Sequence, residues 1–296
     1  MTTTWDATAF DAFERRGWTG RSEAYRAGFA RMTAHTVTAL LDAAGVGAGT
    51  AVLDVGTGPG TVAAAALARG AEVTAVDASP EMAAHAAAAC AGADVRVAVL
   101  PELPFPDGSF DAVVGNFVIN HLGDPAAGLD ELRRVLRPGG RLALTCWERV
   151  AMRATAVFGE AVAAAGIDHP TDLPSSGPFL ADADPDGRAA AFAALLAAAG
   201  LERASAVRVE WLHRVDPDDW WDAVVAGTPL TGSLIARQHP EVTAGIKAHY
   251  DRLVAPYAEP TGEGRAGAGA DPAPVRAVAL PAVAVLASGR RPVTLG

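Results

Sequence analysis

Asp54-Val55-Gly56-Thr57-Gly58-Pro59-Gly60 is the stretch that decides the fold. An apolar run, Ala51 to Val55, enters it as a strand, and an alanine-rich helix, Pro59 to Ala68, leaves it. Glycine reaches the positive φ of a tight strand-to-helix turn and carries no Cβ, so a bound molecule can lie against bare peptide. The first amides of the new helix point unpaired N–H groups outward. Such a turn is a cradle for a nucleotide-type ligand. Glu72 to Asp77 follows as a second apolar strand. It ends in a carboxylate roughly 20 residues past the glycines, the spacing at which an acid accepts hydrogen bonds from a ribose diol.

What the turn lacks narrows the ligand. The glycines alternate at 56, 58 and 60 and are followed by Thr61. They do not form the Gly-x-Gly-x-x-Gly of a dinucleotide site, and no Gly-Lys-Ser/Thr is present for a triphosphate. A pyrophosphate is therefore not expected. A nucleoside without phosphates, bearing an amino-acid tail, uses the same turn and the same acid without a basic counter-charge, and S-adenosylmethionine fits that description.

At this point the chain resembles the class I S-adenosylmethionine-dependent methyltransferases, in particular the small-molecule branch with ubiquinone and menaquinone biosynthesis enzymes. The resemblance spans roughly Ala51 to Trp147. Leu103-Pro104-Phe105-Pro106-Asp107-Gly108-Ser109-Phe110-Asp111 leads into the apolar Ala112 to Asn116, with Asp-Gly as a turn and Phe110 as core. Asn116-Phe117-Val118-Ile119-Asn120-His121-Leu122 is similar to the family's segment beside the cofactor. Leu132 to Gly140 reads as a helix ended by Pro138-Gly139-Gly140, before a strand from Arg141 to Trp147.

The resemblance implies a Rossmann-like α/β fold, with a seven-stranded, mostly parallel sheet, a reversed last strand and a helical cap. It also implies S-adenosyl-L-methionine as cofactor and S-adenosyl-L-homocysteine as product. The residues expected at the cofactor are Asp54, Gly56, Thr57, Gly58, Gly60, Asp77, Ala78, Leu100, Asn116, Phe117 and Tyr25. Asp54 is expected to hold the loop by accepting backbone N–H bonds, and Asn116 and Phe117 to meet the ligand through backbone groups. One position departs from the family pattern: the acid that usually bonds the adenine amino group falls near Val99. Either backbone groups hold the adenine, with Leu100 on its face, or the cofactor binds more weakly.

Composition bounds the rest. The 296 residues are 50% hydrophobic and 20% charged, enough for a well-filled core in one large or two small domains. A net charge of −10 argues against a nucleic-acid-binding surface and favours a small-molecule or carrier-bound substrate. The two cysteines, Cys90 and Cys146, read as core thiols, which points to a cytoplasmic location. Met1 to Arg16 lacks the apolar core of a secretory signal, and no run is long and uncharged enough to span a bilayer. A monomer or a homodimer is expected.

Along the chain, Ser22 to Ala44 reads as one amphipathic helix. Strands at 51–55, 73–77, 95–100, 110–116 and 141–147 alternate with helices at 59–68, 80–89 and 125–136, which implies a mostly parallel sheet with binding at the strand carboxyl ends. Residues 1–148 are expected to form N-terminal helices and the cofactor core, and 149–187 a helix, Ala151 to Ala165, followed by irregular chain. Residues 188–215 and 275–296 complete the core with a helix, Arg188 to Ala199, and strands at Ala204 to Leu212 and Val275 to Ala287. Residues 216–274 supply a substrate cap, helical at Pro217 to Ala226 and Pro240 to Tyr257, and a mobile stretch, Pro260 to Pro274.

His121 is the candidate general base, against a role in which it only packs near the cofactor. Trp147, Glu148, Trp220, Trp221 and Tyr250 are candidates for the acceptor, the aromatic ones against core filling. Trp18 and Tyr25 are weighed as a lid. The remaining histidines lack metal-ligand spacing, so no metal is expected. The activity expected is methyl transfer to O, N or C of a small metabolite, as in secondary metabolism. Two alternatives stay open: the same fold with non-methylating, cyclase- or isomerase-like chemistry, or a non-catalytic cofactor-binding partner.

Overall fold

The strands β1 (Ala51–Val55), β2 (Glu72–Asp77), β3 (Asp94–Val97), β4 (Phe110–Gly115), β5 (Leu136–Trp147), β6 (Glu202–Val215) and β7 (Val278–Arg290) form one sheet in the order β3-β2-β1-β4-β5-β7-β6. The architecture comes from a computed structural model that describes residues 6–148, 152–170, 172–174, 179, 187–259 and 277–293. β1 pairs in parallel with β2 and β4, β2 with β3, and β4 with β5, while β7 runs antiparallel between β5 and β6. This is the Rossmann-like methyltransferase fold, with the last strand reversed.

The helices are α1 (Ala7–Trp18), α2 (Ser22–Ala24), α3 (Ala30–Thr33), α4 (Val37–Ala43), α5 (Thr61–Ala68), α6 (Pro80–Ala89), α7 (Pro125–Val135), α8 (Arg153–Ala164), α9 (Arg188–Ala198), α10 (Pro217–Gly227), α11 (Pro229–Ala236) and α12 (Pro240–Val254). Local chemistry starts several of them. Ser79 caps α6 by accepting from the Met82 amide, Asp124 caps α7 from Ala127, and Asp216 caps α10 from Asp218 and Asp219. Each of these helices has proline in its first turn, where the missing N–H costs nothing.

Successive residues of a strand face opposite ways, and β1 shows the result. Leu53 joins Leu129, Leu132, Phe192 and Leu196 on the α7 and α9 face, whereas Val52 joins Leu40, Leu41 and Val62 on the α4 and α5 face. A third cluster, with Phe29, Phe158, Trp220, Trp221 and Tyr250 at its centre, sits where α8, α10 and α12 meet the start of β7.

The structure departs from the sequence reading in several places. Ser22 to Ala43 is helical throughout, but a π turn at Tyr25–Phe29 and a 3-10 turn at Ala34–Thr36 interrupt it. α7 ends at Val135, ahead of Pro138, and Pro138-Gly139-Gly140 lies inside β5. A residue before proline is driven to extended backbone, so the chain leaves the helix early. The register with β4 slips between Phe110 and Ala112, and Gly139 takes φ +80°. β3 is shorter than the 95–100 expected, and β6 longer than 204–212. α11 was not foreseen at all, although Thr228 caps it and Pro229 opens it. The stretch Pro260 to Pro274, and much of 166–187, lie outside the described residues.

Candidate cofactor and acceptor site

The glycine turn is held by main-chain hydrogen bonds to the neighbouring strand. The amides of Gly56 and Thr57 both donate to the Val76 carbonyl, at 2.9 and 3.0 Å. Gly56, Gly58 and Gly60 have φ of +67°, +56° and +92°, the left-handed region that side chains resist. The Gly58 amide donates to Asp77 Oδ2 at 2.8 Å and the Ser79 amide to Asp77 Oδ1 at 2.8 Å. Each Asp77 oxygen therefore keeps a lone pair for another donor. Burial pushes the Asp77 pKa up, against the two amides and His121, which favour the charged form.

These residues border a cavity of about 1000 Å³ at the carboxyl ends of β1, β2, β4 and β5. Of the expected cofactor residues, Gly56, Gly58, Asp77 and Ala78 line it at one end, and Leu100, Asn116, Phe117 and Tyr25 along its sides. Asp54, Thr57 and Gly60 do not reach it. Asp54 is sealed beneath the turn, where its Oδ2 accepts from the Thr57 hydroxyl at 2.6 Å and its carboxyl also takes a backbone bond from Ala63. Burial pushes its pKa up to about 7, against the Thr57 and Ala63 bonds and with help from the Asp77 charge. Gly60 serves helix packing: a Cβ there would lie 2.9 Å from Cys90 Sγ and 3.1 Å from Ala86 Cα.

The end near β4 and β5 rests on a polar network. Asn116 Oδ1 accepts from the hydroxyls of Thr36 and Thr145, both at 2.7 Å, and its Nδ2 donates to the Thr33 carbonyl at 3.0 Å. Its side chain is spent on the scaffold. Phe117 takes φ +63°, a strained conformation for an aromatic residue. It is held there by its amide donating to Thr145 Oγ1 at 2.9 Å and by stacking on Trp147, ring centroids 3.7 Å apart.

Of the residues expected at the acceptor, Trp147 and Glu148 line the cavity, whereas Trp220, Trp221 and Tyr250 do not. These three are in the cap core: Trp220 is fully buried with its indole N–H on the Ala154 carbonyl at 2.7 Å, and Tyr250 is fully buried with its hydroxyl on the Pro217 carbonyl at 2.9 Å. Helical aromatic spacing is the same for a pocket wall and a core, and here the core took them. His121 borders the cavity from a 3-10 turn, Ile119–His121. Sequence reading missed Glu14, which also lines the cavity. Its signal was present: Phe10, Glu14 and Trp18 recur every fourth residue, placing a carboxylate on the apolar face of α1. Met152, Thr155 and Leu230 complete the wall from α8 and α11.

The residues present suit a nucleoside without phosphates. A Cβ on Gly58 would project into the cavity with no protein atom nearer than Tyr25 Cε1 at 3.8 Å, so the glycine leaves space that a ligand can use. Among the described residues lining the cavity, Arg15 is the sole lysine or arginine, and it is exposed. No described group of three His, Cys, Asp or Glu side chains could hold a metal ion, and no helix among the described residues is long and apolar enough to cross a membrane.

Residues 53–144 match the family model of the methyltransferase domain. A demethylmenaquinone methyltransferase of Clavibacter sepedonicus is 46% identical over 101 residues, 33% of this chain and 41% of that protein. An uncharacterized methyltransferase of Mycobacterium sp. (strain KMS) is 45% identical over 102 residues, 33% of this chain and 40% of that one. The chain thus spans about two fifths of the length of these relatives. Two solved structures share the fold. A putative methyltransferase from Bacillus halodurans has a TM-score of 0.50 and 20% identity, covering 86% of this chain and 98% of its own. Phosphoethanolamine N-methyltransferase 2 of Haemonchus contortus, solved with phosphomonomethylethanolamine and S-adenosylhomocysteine, has a TM-score of 0.54 and 17% identity, covering 96% and 60%.

Proposed function

We propose, from a chain that carries a methyltransferase-family domain over residues 53–144, that the protein transfers a methyl group from S-adenosylmethionine to a small-molecule acceptor. The observation that carries this reading is one continuous cavity whose wall joins a Cβ-free turn and its carboxylate, Asp77, to a histidine and a set of aromatic side chains. Asp77 would accept from the ribose hydroxyls, Gly56 and Gly58 would lie against the amino-acid tail, and Leu100 would cover the adenine. The main chain of Asn116 and Phe117 would meet the ligand where β4 ends. The cofactor, when bound, would supply an electrophilic methyl on a sulfonium, with the neutral sulfide as leaving group.

The chain's own work is placement. Holding an acceptor in line with a reacting group supplies roughly 7–11 kcal/mol of barrier reduction. The stacked Phe117 and Trp147, with Tyr25 and Phe29, form an aromatic chamber suited to a flat or lipophilic metabolite, of the quinone-like or secondary-metabolite kind. His121, which borders the same cavity, would be the group to take a proton from the acceptor.

Calorimetry with S-adenosylmethionine and S-adenosylhomocysteine, alongside ATP and NAD, tests the cofactor. Mass spectrometry of candidate acceptors with methyl-labelled cofactor tests the reaction. The expected result is micromolar binding of the adenosyl sulfur compounds alone and a labelled methyl on product. Binding of a phosphate-bearing nucleotide instead, or product that isomerises without gaining a methyl, would overturn the reading.

A further inference from the structure

α1 does more than cover the cavity. His121 Nδ1 lies 2.8 Å from Glu14 Oε2, across 107 residues of sequence. A carboxylate only accepts, so Nδ1 carries the hydrogen, and Nε2 of the neutral ring is left with its lone pair. The ring's one hydrogen bond among the described residues is through Nδ1, and the side chain is 35% exposed where it borders the cavity. The same Glu14 oxygen accepts from the Trp18 indole N–H at 3.1 Å, and the Trp18 ring meets the His121 ring edge-on, centroids 5.4 Å apart at 82°. Carboxylate and imidazole are thereby fixed from one helix.

That helix is fastened at both ends. Asp11 Oδ1 accepts from the Gly123 amide at 2.6 Å, two residues beyond His121. At the other end, Glu81 Oε2 on α6 accepts from the Gly20 amide and the Ser22 hydroxyl, at 3.2 and 3.0 Å. The main chains of α1 and the loop after β4 touch: a Cβ on Gly123 would come within 2.1 Å of the Ala7 carbonyl oxygen.

We propose that Glu14 on α1 is a positioning residue for His121, so that seating the helix over the cavity completes the base, and that the acceptor is a hydroxyl or protonated amine with a proton to give up. This rests on the methyl-transfer reading above. In the step assigned to the pair, the acceptor's O–H or N–H bond breaks and its proton bonds to the Nε2 lone pair. The acceptor keeps the electron pair, and the Glu14 carboxylate balances the imidazolium. The charged groups facing His121 are Glu14 from α1 and Asp77 from the end of β2; Asp11 and Glu81 are engaged as described, and Arg15 stands exposed at the mouth. Burial works against a charge on His121, but Glu14 and Asp77 outweigh it and hold its pKa above the ordinary histidine value.

The test is Glu14→Gln, which keeps the shape and removes the charge. Histidine titration by NMR on the full chain, with His121→Asn to assign the signal, is expected to show the His121 midpoint falling by about one pH unit, within the range for losing an adjacent opposite charge. Cofactor affinity should be unchanged, and the fold is checked by the same melting curve. With an acceptor found, kcat/KM in the variant should fall about tenfold at high pH and less at low pH, with the midpoint of its rise moved down in step. Glu14→Asp, which restores the charge, should recover part of both shifts. An unmoved NMR midpoint in Glu14→Gln would overturn the pairing without any acceptor being needed. An active enzyme whose pH midpoint ignores Glu14→Gln would overturn the inference alone. Absence of methyl transfer by the wild-type chain would overturn the reading of the site, and the catalytic role of the pair with it.

Discussion

The two ends of the cavity are built by different means. At the β1 and β2 end the walls are main chain: glycines with positive φ, amides on Val76, and amides on one carboxylate. At the α1 and cap end the walls are side chains from segments far apart in sequence, with Glu14 against His121 and Trp147 against Phe117. A backbone-built site changes little with side-chain identity, except where a Cβ would intrude. A side-chain-built site can be recut residue by residue, so on the proposed reading it is the part that would set which acceptor is taken.

Substitutions can break that division, the largest effect first. Trp220→Ala removes a fully buried indole that stacks on Phe29 and meets Phe158 edge-on in the cap core, at an expected stability loss of about 3–5 kcal/mol in urea unfolding. S-adenosylhomocysteine affinity of the folded fraction should not change, and a parallel loss would show that the two ends are one unit. Gly58→Val puts a β-branched residue at φ +56° and its side chain into the cavity. Affinity for S-adenosylhomocysteine by calorimetry is expected to fall about 100-fold or more, roughly 2.7 kcal/mol.

Acid should act on the cap side first. His213 on β6 is 4% exposed beside Trp220, ring centroids 4.5 Å apart, and burial, aided by His35, pushes its pKa down to about 4. The unfolded chain, with a histidine pKa near 6.5, binds this proton before the native state does. Stability is therefore full above about pH 6.5 and is lost as pH falls toward 4, by up to about 3 kcal/mol. Melting temperature against pH should show this slope, and His213→Phe should flatten it. A slope that persists unchanged in His213→Phe would remove His213 as its cause. The smallest effect sharpens the backbone end: Val99, 38% exposed at the cavity, stands where the resembled family has its adenine-bonding acid. Val99→Asp is expected to tighten cofactor binding by about 0.5–1.5 kcal/mol, up to roughly tenfold, and weaker binding would mean that the adenine lies elsewhere.

The same division governed what could be read from the sequence. The turn at 56–60 and the acid at 77 are local chemistry, because positive φ selects glycine and Asp77 closes an apolar run short enough to be one strand. Glu14 was invisible as a site residue because its role is a contact across 107 positions, although its place between Phe10 and Trp18 on one helical face was a clue. Trp220, Trp221 and Tyr250 were drawn to the pocket by their type, yet burial is decided by which helix face meets α8 and Phe29. α11 was missed because the break between it and α10 falls at Thr228-Pro229, a cap pair overlooked between two apolar runs.

The near-touch of Gly123 and Ala7 leaves no clearance for even one methyl group between α1 and the loop it rests on. Residue 123 is therefore the doorstop of the chamber. Any side chain installed there would prop α1 ajar, lengthen the reach from Glu14 to His121 and let solvent in. On the proposed reading, the door would then admit long or carrier-tethered guests that a flush helix would turn away, at the expense of the proton transfer assigned to the Glu14–His121 pair.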